Sequence, residues 1–164
     1  MNPVTVSATI ARPREAIFEY LADVANHAEF TDHYLTDWHL LREATYGVGA
    51  GARFRIKAPL NRFSWADVTI AELDAPYRIV EHGRGGKFNR VRRLGVYTLS
   101  PGPTGTTKVE YTFETDPHLL SDRLMEALGG GWWSRRQIGR SLRRLRRVLE
   151  EGRDRGRRPS VAAR

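Results

Sequence analysis

The chain has 164 residues, of which 40% are hydrophobic and none is cysteine, so its composition is that of one globular domain without disulfide bonds, thiolate nucleophiles or cysteine-based metal centres. No apolar run approaches the roughly 20 residues of a membrane helix, and the N-terminus lacks a secretory signal pattern, so we expect a cytoplasmic protein. The net charge of +8 comes from the C-terminus, because residues 134–164 carry 12 arginines and 3 acidic residues, whereas residues 1–133 carry 15 basic and 16 acidic residues.

The first predicted elements are a strand and two short helices. Apolar and polar residues alternate from Val4 to Ile10, which indicates a half-buried strand. Pro13 is typical of the start of a helix, and the apolar residues after it share one helical face. A second short helical turn is predicted from Ala25 to about Thr31.

Six further strands are predicted, each separated from the next by a turn signal. The turns include the glycine-rich stretches "GVGAG" and "GRGG", the stretch "DAP", and the stretch "SPGPTGT". Because these connections are short, we expect the strands to pair antiparallel.

The last element is a helix predicted from about His118 to Gly152. A single rod of that length would measure roughly 52 Å, which exceeds the roughly 40 Å diameter of such a domain. We therefore predict a break at the three glycines of residues 129–131. After the break, one helical stripe is apolar and the opposite face is basic, with Ile138, Leu142, Leu145 and Leu149 on the first and Arg136, Arg140, Arg143 and Arg147 on the second.

This order of elements predicts an α+β fold in which a curved, seven-stranded antiparallel sheet wraps the long C-terminal helix. The helix must bury its apolar stripe on one face of the sheet, and the gap between them is a natural cavity. We predict one domain over residues 3–152 and a disordered, arginine-rich tail over residues 153–164.

Several stretches carry a family likeness, namely "VSATIARPREAIFEYLADVANHAEF", "YGVGAGARFRI", "VTIAELDAPYRIVEHG", "YTLSPGPTGTTKVEYTFE" and "LRRLRRVLEEG". They resemble the START and pollen-allergen-like helix-grip superfamily (SRPBCC), specifically its bacterial polyketide cyclase/dehydrase-like members. "YLADVANHAEF" is also similar to the coenzyme Q-binding and ribosome-association branches, so the subfamily stays open. The resemblance implies a hydrophobic ligand between the sheet and the helix. It does not imply an enzyme, since many members only bind or carry lipids and aromatic molecules.

Inward-facing strand residues and the last helix supply the candidate cavity wall. In "YRIVEHGR", either Ile79 and Glu81 or Val80 and His82 point inward, and we favour the first set. An inward Glu81 and Arg93 would pair with each other or with a ligand, because an unpaired buried charge is costly; alternatively, a bulge turns them to solvent. The predicted ligand-binding residues are Trp38, Leu40, Phe54, Ile56, Phe63, Trp65, Ile79, Glu81, Arg93, Tyr97, Leu99, Tyr111, Phe113, Leu128 and Trp132.

The glycine break suggests a moving part. We expect Trp132 to close one end of the cavity and Trp133 to lie near its mouth. The glycines would then let the preceding helical segment move as a lid.

No motif assigns a catalytic residue, a metal site or a cofactor. The five histidines lack a helical His-x-x-x-His spacing, and the serines lack a Gly-x-Ser-x-Gly elbow, so we expect neither metal nor cofactor. If the protein is an enzyme, the family-like reaction is cyclisation or dehydration of a polyketide-type chain. The candidate proton donors or orienting groups would be Tyr97, Tyr111, Arg93, Glu81 or His82.

Three functional hypotheses remain at this stage. The first is binding or transport of a hydrophobic small molecule, such as a lipid, a polyketide or an aromatic compound. The second is a polyketide cyclase or dehydratase. The third is an interaction module whose basic C-terminal helix and tail contact an anionic membrane or nucleic acid. Specific nucleic-acid binding is disfavoured because no aromatic residues alternate with the arginines.

Overall fold

The computed structural model describes residues 2–58, 63–117 and 130–159. The strands are β1 Val4–Ile10, β2 Leu35–Leu40, β3 Gly51–Ile56, β4 Trp65–Asp74, β5 Arg78–Gly85, β6 Val91–Pro101 and β7 Thr107–Asp116. The helices are α1 Arg14–Leu21, α2 His27–Thr31 and α3 Gly131–Glu151, and a 3₁₀ turn over Val24–Asn26 precedes α2. The strands form one antiparallel sheet in the order β1-β7-β6-β5-β4-β3-β2. The predicted α+β helix-grip fold is therefore confirmed.

The segment between β1 and β2 closes one side of the core. Pro13 precedes α1 with a φ of −59°, and the buried face of α1 carries Ile17 and Phe18. Asp23 then caps the 3₁₀ turn, because its Oδ1 accepts a hydrogen bond from the Ala25 N–H at 3.1 Å. Helix α2 follows directly, so both short helices lie where the sequence predicts them.

Helix α3 packs its apolar stripe against β1 and the rest of the core. Ile138, Leu142 and Leu145 are buried, and Leu149 is partly buried against the same cluster. The basic face predicted opposite this stripe is exposed. In the part of the chain that the structure describes, no helix is both long enough and apolar enough to cross a membrane.

A bulge in β2 changes which of its residues face inward. The pairing of β2 with β3 shifts between Thr36 and His39, and Asp37 adopts a left-handed φ of 52°. As a result both Leu35 and Trp38 turn toward the core, although three positions separate them. Without the bulge, strict alternation would place these two side chains on opposite faces.

The arginine-rich segment after α3 lies along α2. Sequence analysis predicts disorder from residue 153, whereas the structure places residues 153–159 in a series of polar contacts. The Gly156 N–H donates to the Glu29 carbonyl at 2.8 Å, and Arg155 lies 3.6 Å from the Glu29 carboxylate. Arg158 pairs with Asp23 at 2.5 Å. Residues 160–164 lie outside the described residues.

Candidate functional site

A cavity of about 80 Å³ lies between the sheet, α2 and the first turns of α3. Its wall is mostly apolar and aromatic, with a few polar groups among them. Seven of the predicted ligand-binding residues line it, namely Trp38, Phe54, Glu81, Arg93, Tyr97, Tyr111 and Phe113. Other lining residues include His27, Phe30, Tyr34, Leu35, Val68, Trp133, Ile138 and Leu142.

The other predicted residues do not line this cavity. Ile79 and Leu99 are buried in the main core. Leu40 and Ile56 are partly buried, each against an apolar cluster. Leu128, together with the lid segment proposed before the glycines, lies outside the described residues.

Phe63 and Trp65 lie on the outer side of the sheet, which corrects the expectation that they face the cavity. Ala66 is buried and Val68 lines the cavity, so strand alternation turns Trp65 outward. There the Arg53 guanidinium lies 5.1 Å from the centre of the Trp65 ring. Phe63 borders the same surface depression and is 50% exposed.

Of the two tryptophans at the start of α3, Trp133 rather than the predicted Trp132 lines the cavity. Trp133 meets the Tyr34 ring edge-on at a centroid distance of 5.8 Å. Trp132 is 68% exposed and lies beneath the Arg136 guanidinium. Successive helical positions differ by about 100°, so only one of the two rings can join the apolar stripe that contains Ile138.

Glu81 on β5 is a buried carboxylate in the cavity wall, and the neighbouring His82 is exposed. The Tyr111 hydroxyl donates to Glu81 Oε2 at 3.1 Å. Glu81 Oε1 lies 3.1 Å from His27 Nδ1, at ion-pair distance, but it has no aligned hydrogen bond from any described residue. The partners of Glu81 are thus the Tyr111 hydroxyl at Oε2 and the His27 imidazole beside Oε1.

His27 is held by the backbone on its other side. Its Nε2 lies 2.7 Å from the Leu21 carbonyl oxygen, which can only accept, so Nε2 carries a proton. Burial by itself would lower the pKa of His27, but the Glu81 carboxylate raises it above the ordinary value of 6.5. Contact with Glu81 therefore shifts the imidazole toward its charged form despite its burial.

Gly95 on β6 makes room for the contact between Tyr111 and Glu81. Gly95 pairs with Glu81 on one side and with Phe113 on the other. A Cβ atom at residue 95 would lie 2.9 Å from Glu81 Oε2 and closer still to the Tyr111 hydroxyl oxygen. A side chain at this position would therefore displace the hydroxyl or the carboxylate.

Three tyrosines give the cavity neutral hydroxyl groups. Burial raises the pKa of Tyr34, Tyr97 and Tyr111, so all three are phenols at neutral pH. The rings of Tyr97 and Tyr111 lie 4.3 Å apart between centroids. As phenols they can donate hydrogen bonds to a ligand without adding negative charge.

Arg93 contributes a cation to the same wall. Its guanidinium lies 5.0 Å from the Phe113 ring centre and 5.9 Å from that of Phe54. Within residues 2–58, 63–117 and 130–159, its buried Nη1 has no hydrogen-bond partner. The site therefore combines an open donor on Arg93 with a Glu81 carboxylate that His27 and Tyr111 hold in place.

Sequence reasoning missed His27, Phe30 and Tyr34. The available signal for His27 was its place on a short helix, three residues before Phe30 and so on the same apolar face. Metal-ligand spacing along the sequence does not detect a histidine that pairs with a distant carboxylate. The described residues contain no group of three histidine or acidic side chains that could hold a metal ion.

The fold and this cavity define a helix-grip domain. The sequence matches the family described as "Polyketide cyclase / dehydrase and lipid transport" over residues 1–150. The chain belongs to that family, in the SRPBCC superfamily that its sequence patterns resemble. No curated protein matches the chain.

Solved structures with the same fold come from diverse sources. The Thermus thermophilus protein TTHA0849 superposes with a TM-score of 0.68 at 16% identity, covering 90% of this chain and 97% of that one. Truncated norcoclaurine synthase from Thalictrum flavum gives 0.69 at 9% identity, with coverages of 92% and 94%. DynU16, from the dynemicin biosynthetic locus, gives 0.58 at 19% identity, covering 95% of this chain and 50% of that one. At these identities the similarity shows the fold alone.

Proposed function

We propose that this protein binds a hydrophobic small molecule in the cavity between the sheet and α3. The observation that carries the proposal is the cavity wall, where aromatic rings such as Phe54, Phe113 and Trp133 surround a few polar groups. Burying apolar ligand surface against such a wall contributes about 25 cal/mol per Å². Membership of a family described in terms of polyketides and lipid transport supports the same assignment.

The proposal can be tested by filling the cavity. Ile138→Trp would place a larger side chain in the wall, and Arg140→Trp on the exposed face of the same helix is the matched control. N-phenyl-1-naphthylamine, a neutral fluorescent probe, should bind the wild type and the control with similar affinity. Its affinity should fall at least tenfold for Ile138→Trp. Equal affinity for all three proteins would refute the cavity as the binding site.

Acid–base catalysis is a second candidate, and the buried Glu81 carboxylate in the cavity wall favours it. Such a carboxylate can remove a proton from a carbon beside a carbonyl, and His27 and Tyr111 would hold it in position. Arg93 would hold the enolate oxygen that forms, while Tyr111 keeps the carboxylate in place. Cyclisation of a polyketide-type chain begins with this proton transfer, and loss of water can follow it.

A general-base reporter reaction tests this candidate without knowledge of the substrate. In 5-nitrobenzisoxazole, a base removes the C3 proton, the N–O bond breaks, and a coloured phenolate forms. The wild type should accelerate this reaction above an equal concentration of acetate, and Glu81→Gln should lose the acceleration while still binding the neutral probe. Equal rates for wild type and Glu81→Gln would exclude Glu81 as a base.

The basic C-terminus gives less support to a membrane or nucleic-acid partner. Two of its arginines, Arg155 and Arg158, are engaged by acidic residues of the same chain. On α3, Arg146 and Arg147 also pair with acidic residues, Glu150 and Asp154. Arg136 and Arg140 are exposed on the same helix, so the membrane stays a candidate partner. The cytoplasmic location also stays a prediction.

A further inference from the structure

We propose that Arg93 binds an anionic oxygen of the ligand, so that the natural ligand is an amphipathic organic acid with its carboxylate at Arg93 and its apolar body among the aromatic rings. This inference rests on the proposed ligand-binding function and specifies its ligand class.

The first argument is the incomplete hydrogen bonding of Arg93. A guanidinium presents five N–H donors, and a buried donor without an acceptor costs about as much as a lost hydrogen bond. No described residue accepts a hydrogen bond from Nη1, which is nevertheless buried in the cavity wall. A ligand oxygen at this position would provide the missing acceptor.

A second arginine of the same protein provides a comparison. The Arg144 guanidinium pairs with Asp32 and donates to the carbonyl oxygens of Glu29 at 3.3 Å and Asp154 at 2.9 Å. This is the pattern of a structural arginine, whose donors are satisfied by its own chain. Arg93 is embedded in the domain but differs, since aromatic rings flank it and Nη1 is left open.

The third argument concerns the negative charges of the wall. Glu81 faces the imidazole of His27, which it shifts toward the charged form, so its charge already has a partner. Asp67 also lines the cavity, and its Oδ1 accepts a hydrogen bond from the Arg84 N–H at 2.7 Å. Burial lowers the pKa of Arg93, and the nearby Asp67 and Glu81 offset that effect only in part. An anionic ligand would relieve the remaining cost.

The surroundings of Arg93 also select the rest of the ligand. The Phe54 and Phe113 rings flank the guanidinium, and Trp38 lies 4.7 Å from Phe54 between ring centres. A molecule whose carboxylate reaches Arg93 therefore has its body beside these rings. A flat aromatic or unsaturated acid matches this arrangement, whereas a neutral hydrocarbon leaves Nη1 without an acceptor.

A matched pair of probes tests the inference by isothermal titration calorimetry. The probes are 2-naphthoate and 2-naphthalenemethanol, which share the ring system and differ in the anionic group. The variants are Arg93→Met, which keeps the length and removes the charge, and Arg92→Met, which changes the exposed neighbour on β6. Circular dichroism and thermal unfolding establish that each variant is folded.

The wild type and Arg92→Met should bind 2-naphthoate at least tenfold more tightly than the alcohol. Arg93→Met should lose about 10- to 100-fold in affinity for 2-naphthoate, the range expected for a hydrogen-bonded charge, and change its affinity for the alcohol less than threefold. If Arg93→Met does not fold, Arg93→Gln, which removes the charge but keeps a polar side chain, takes its place and should show the same selective loss of affinity for 2-naphthoate.

The possible failures are distinguishable. If the alcohol binds as well as 2-naphthoate and Ile138→Trp blocks both, the cavity binds neutral molecules and the assignment of Arg93 is overturned. If 2-naphthoate is preferred but Arg93→Met keeps the preference, another cation is responsible and the inference is again overturned. If neither probe binds but N-phenyl-1-naphthylamine does, only the inference is overturned; if none of the three binds, the proposed ligand-binding function is refuted together with it.

Discussion

Replacing Gly95 by alanine should disrupt the polar centre of the cavity. The added Cβ would lie 2.9 Å from Glu81 Oε2 and closer to the Tyr111 hydroxyl, so their hydrogen bond would break or the Tyr111 ring would move. The ring has little room, because the Tyr97 ring lies 4.3 Å away. Losing a hydrogen bond to a charged group costs about 1.5–3 kcal/mol, and overpacking adds about 1–3 kcal/mol. The better strand propensity of alanine returns about 0.5–1 kcal/mol.

The expected loss in free energy of unfolding is therefore about 2–5 kcal/mol, measured by urea denaturation with circular dichroism. In a Tyr111→Phe background the clashing hydroxyl is absent, so Gly95→Ala should cost less, with a coupling of about 0.5–3 kcal/mol. Gly139→Ala on α3 is the matched control, since its Cβ would meet no atom closer than 3.6 Å. It should be neutral or stabilising by up to about 1 kcal/mol. A Gly95→Ala variant within 0.5 kcal/mol of the wild type would refute this account of residue 95.

Three further outcomes are expected. Glu81 keeps the pKa of His27 above 6.5 despite burial. The stability advantage of the wild type over His27→Gln should therefore be largest below pH 6.5 and shrink as the pH rises through the folded-state pKa of His27. A difference that does not depend on pH would contradict this pairing. Trp133→Ala should weaken N-phenyl-1-naphthylamine binding at least fivefold in a fluorescence titration, and Trp132→Ala should leave the affinity unchanged. A larger loss of affinity for Trp132→Ala than for Trp133→Ala would contradict the observed orientation of α3. Deleting residues 153–164 should lower the free energy of unfolding by about 1–2 kcal/mol at low salt, as expected for a few ion pairs near the surface. The loss should be smaller at 1 M NaCl, because salt screens these pairs. Unchanged stability would show that the tail contacts contribute nothing.

Strong periodic signals made the fold predictable. The strict alternation of β1 specifies the two-residue period of a strand. The helical period is specified by the 4, 3, 4 spacing of Ile138, Leu142, Leu145 and Leu149, and the structure has the corresponding strand and helix. Short turns between strands then required antiparallel pairing. These signals are local, so a single sequence contains them in full.

The cavity wall was predictable only in part, because it depends on register at the ends of elements. The bulge at Asp37 brings Leu35 inward as well as Trp38, and alternation alone cannot reveal such a shift. The choice between Trp132 and Trp133 required the rotation of α3 on the sheet. Local patterns specify which residues share a face, whereas the direction of that face comes from tertiary packing.

Partners distant in sequence were beyond single-residue reasoning. The sequence predicts that Glu81 and Arg93 pair with each other or with a ligand, or that a bulge turns them to solvent. The partner that the structure places beside Glu81 is His27, which comes from α2 and lies 54 positions earlier in the chain. A five-residue helix with one histidine contains no signal that identifies the strand it meets.

The sheet order has a consequence for biosynthesis. The first strand lies at one edge of the sheet, and its only strand neighbour in the sheet order is the last strand, with Val4 opposite Phe113. On the ribosome, β2 to β6 can pair with their sequence neighbours as they emerge, but β1 must wait for more than 100 further residues. Residues 4–10 are therefore an unpaired strand for most of translation. Chaperone binding to the nascent chain should accordingly concentrate on β1 and end when β7 emerges.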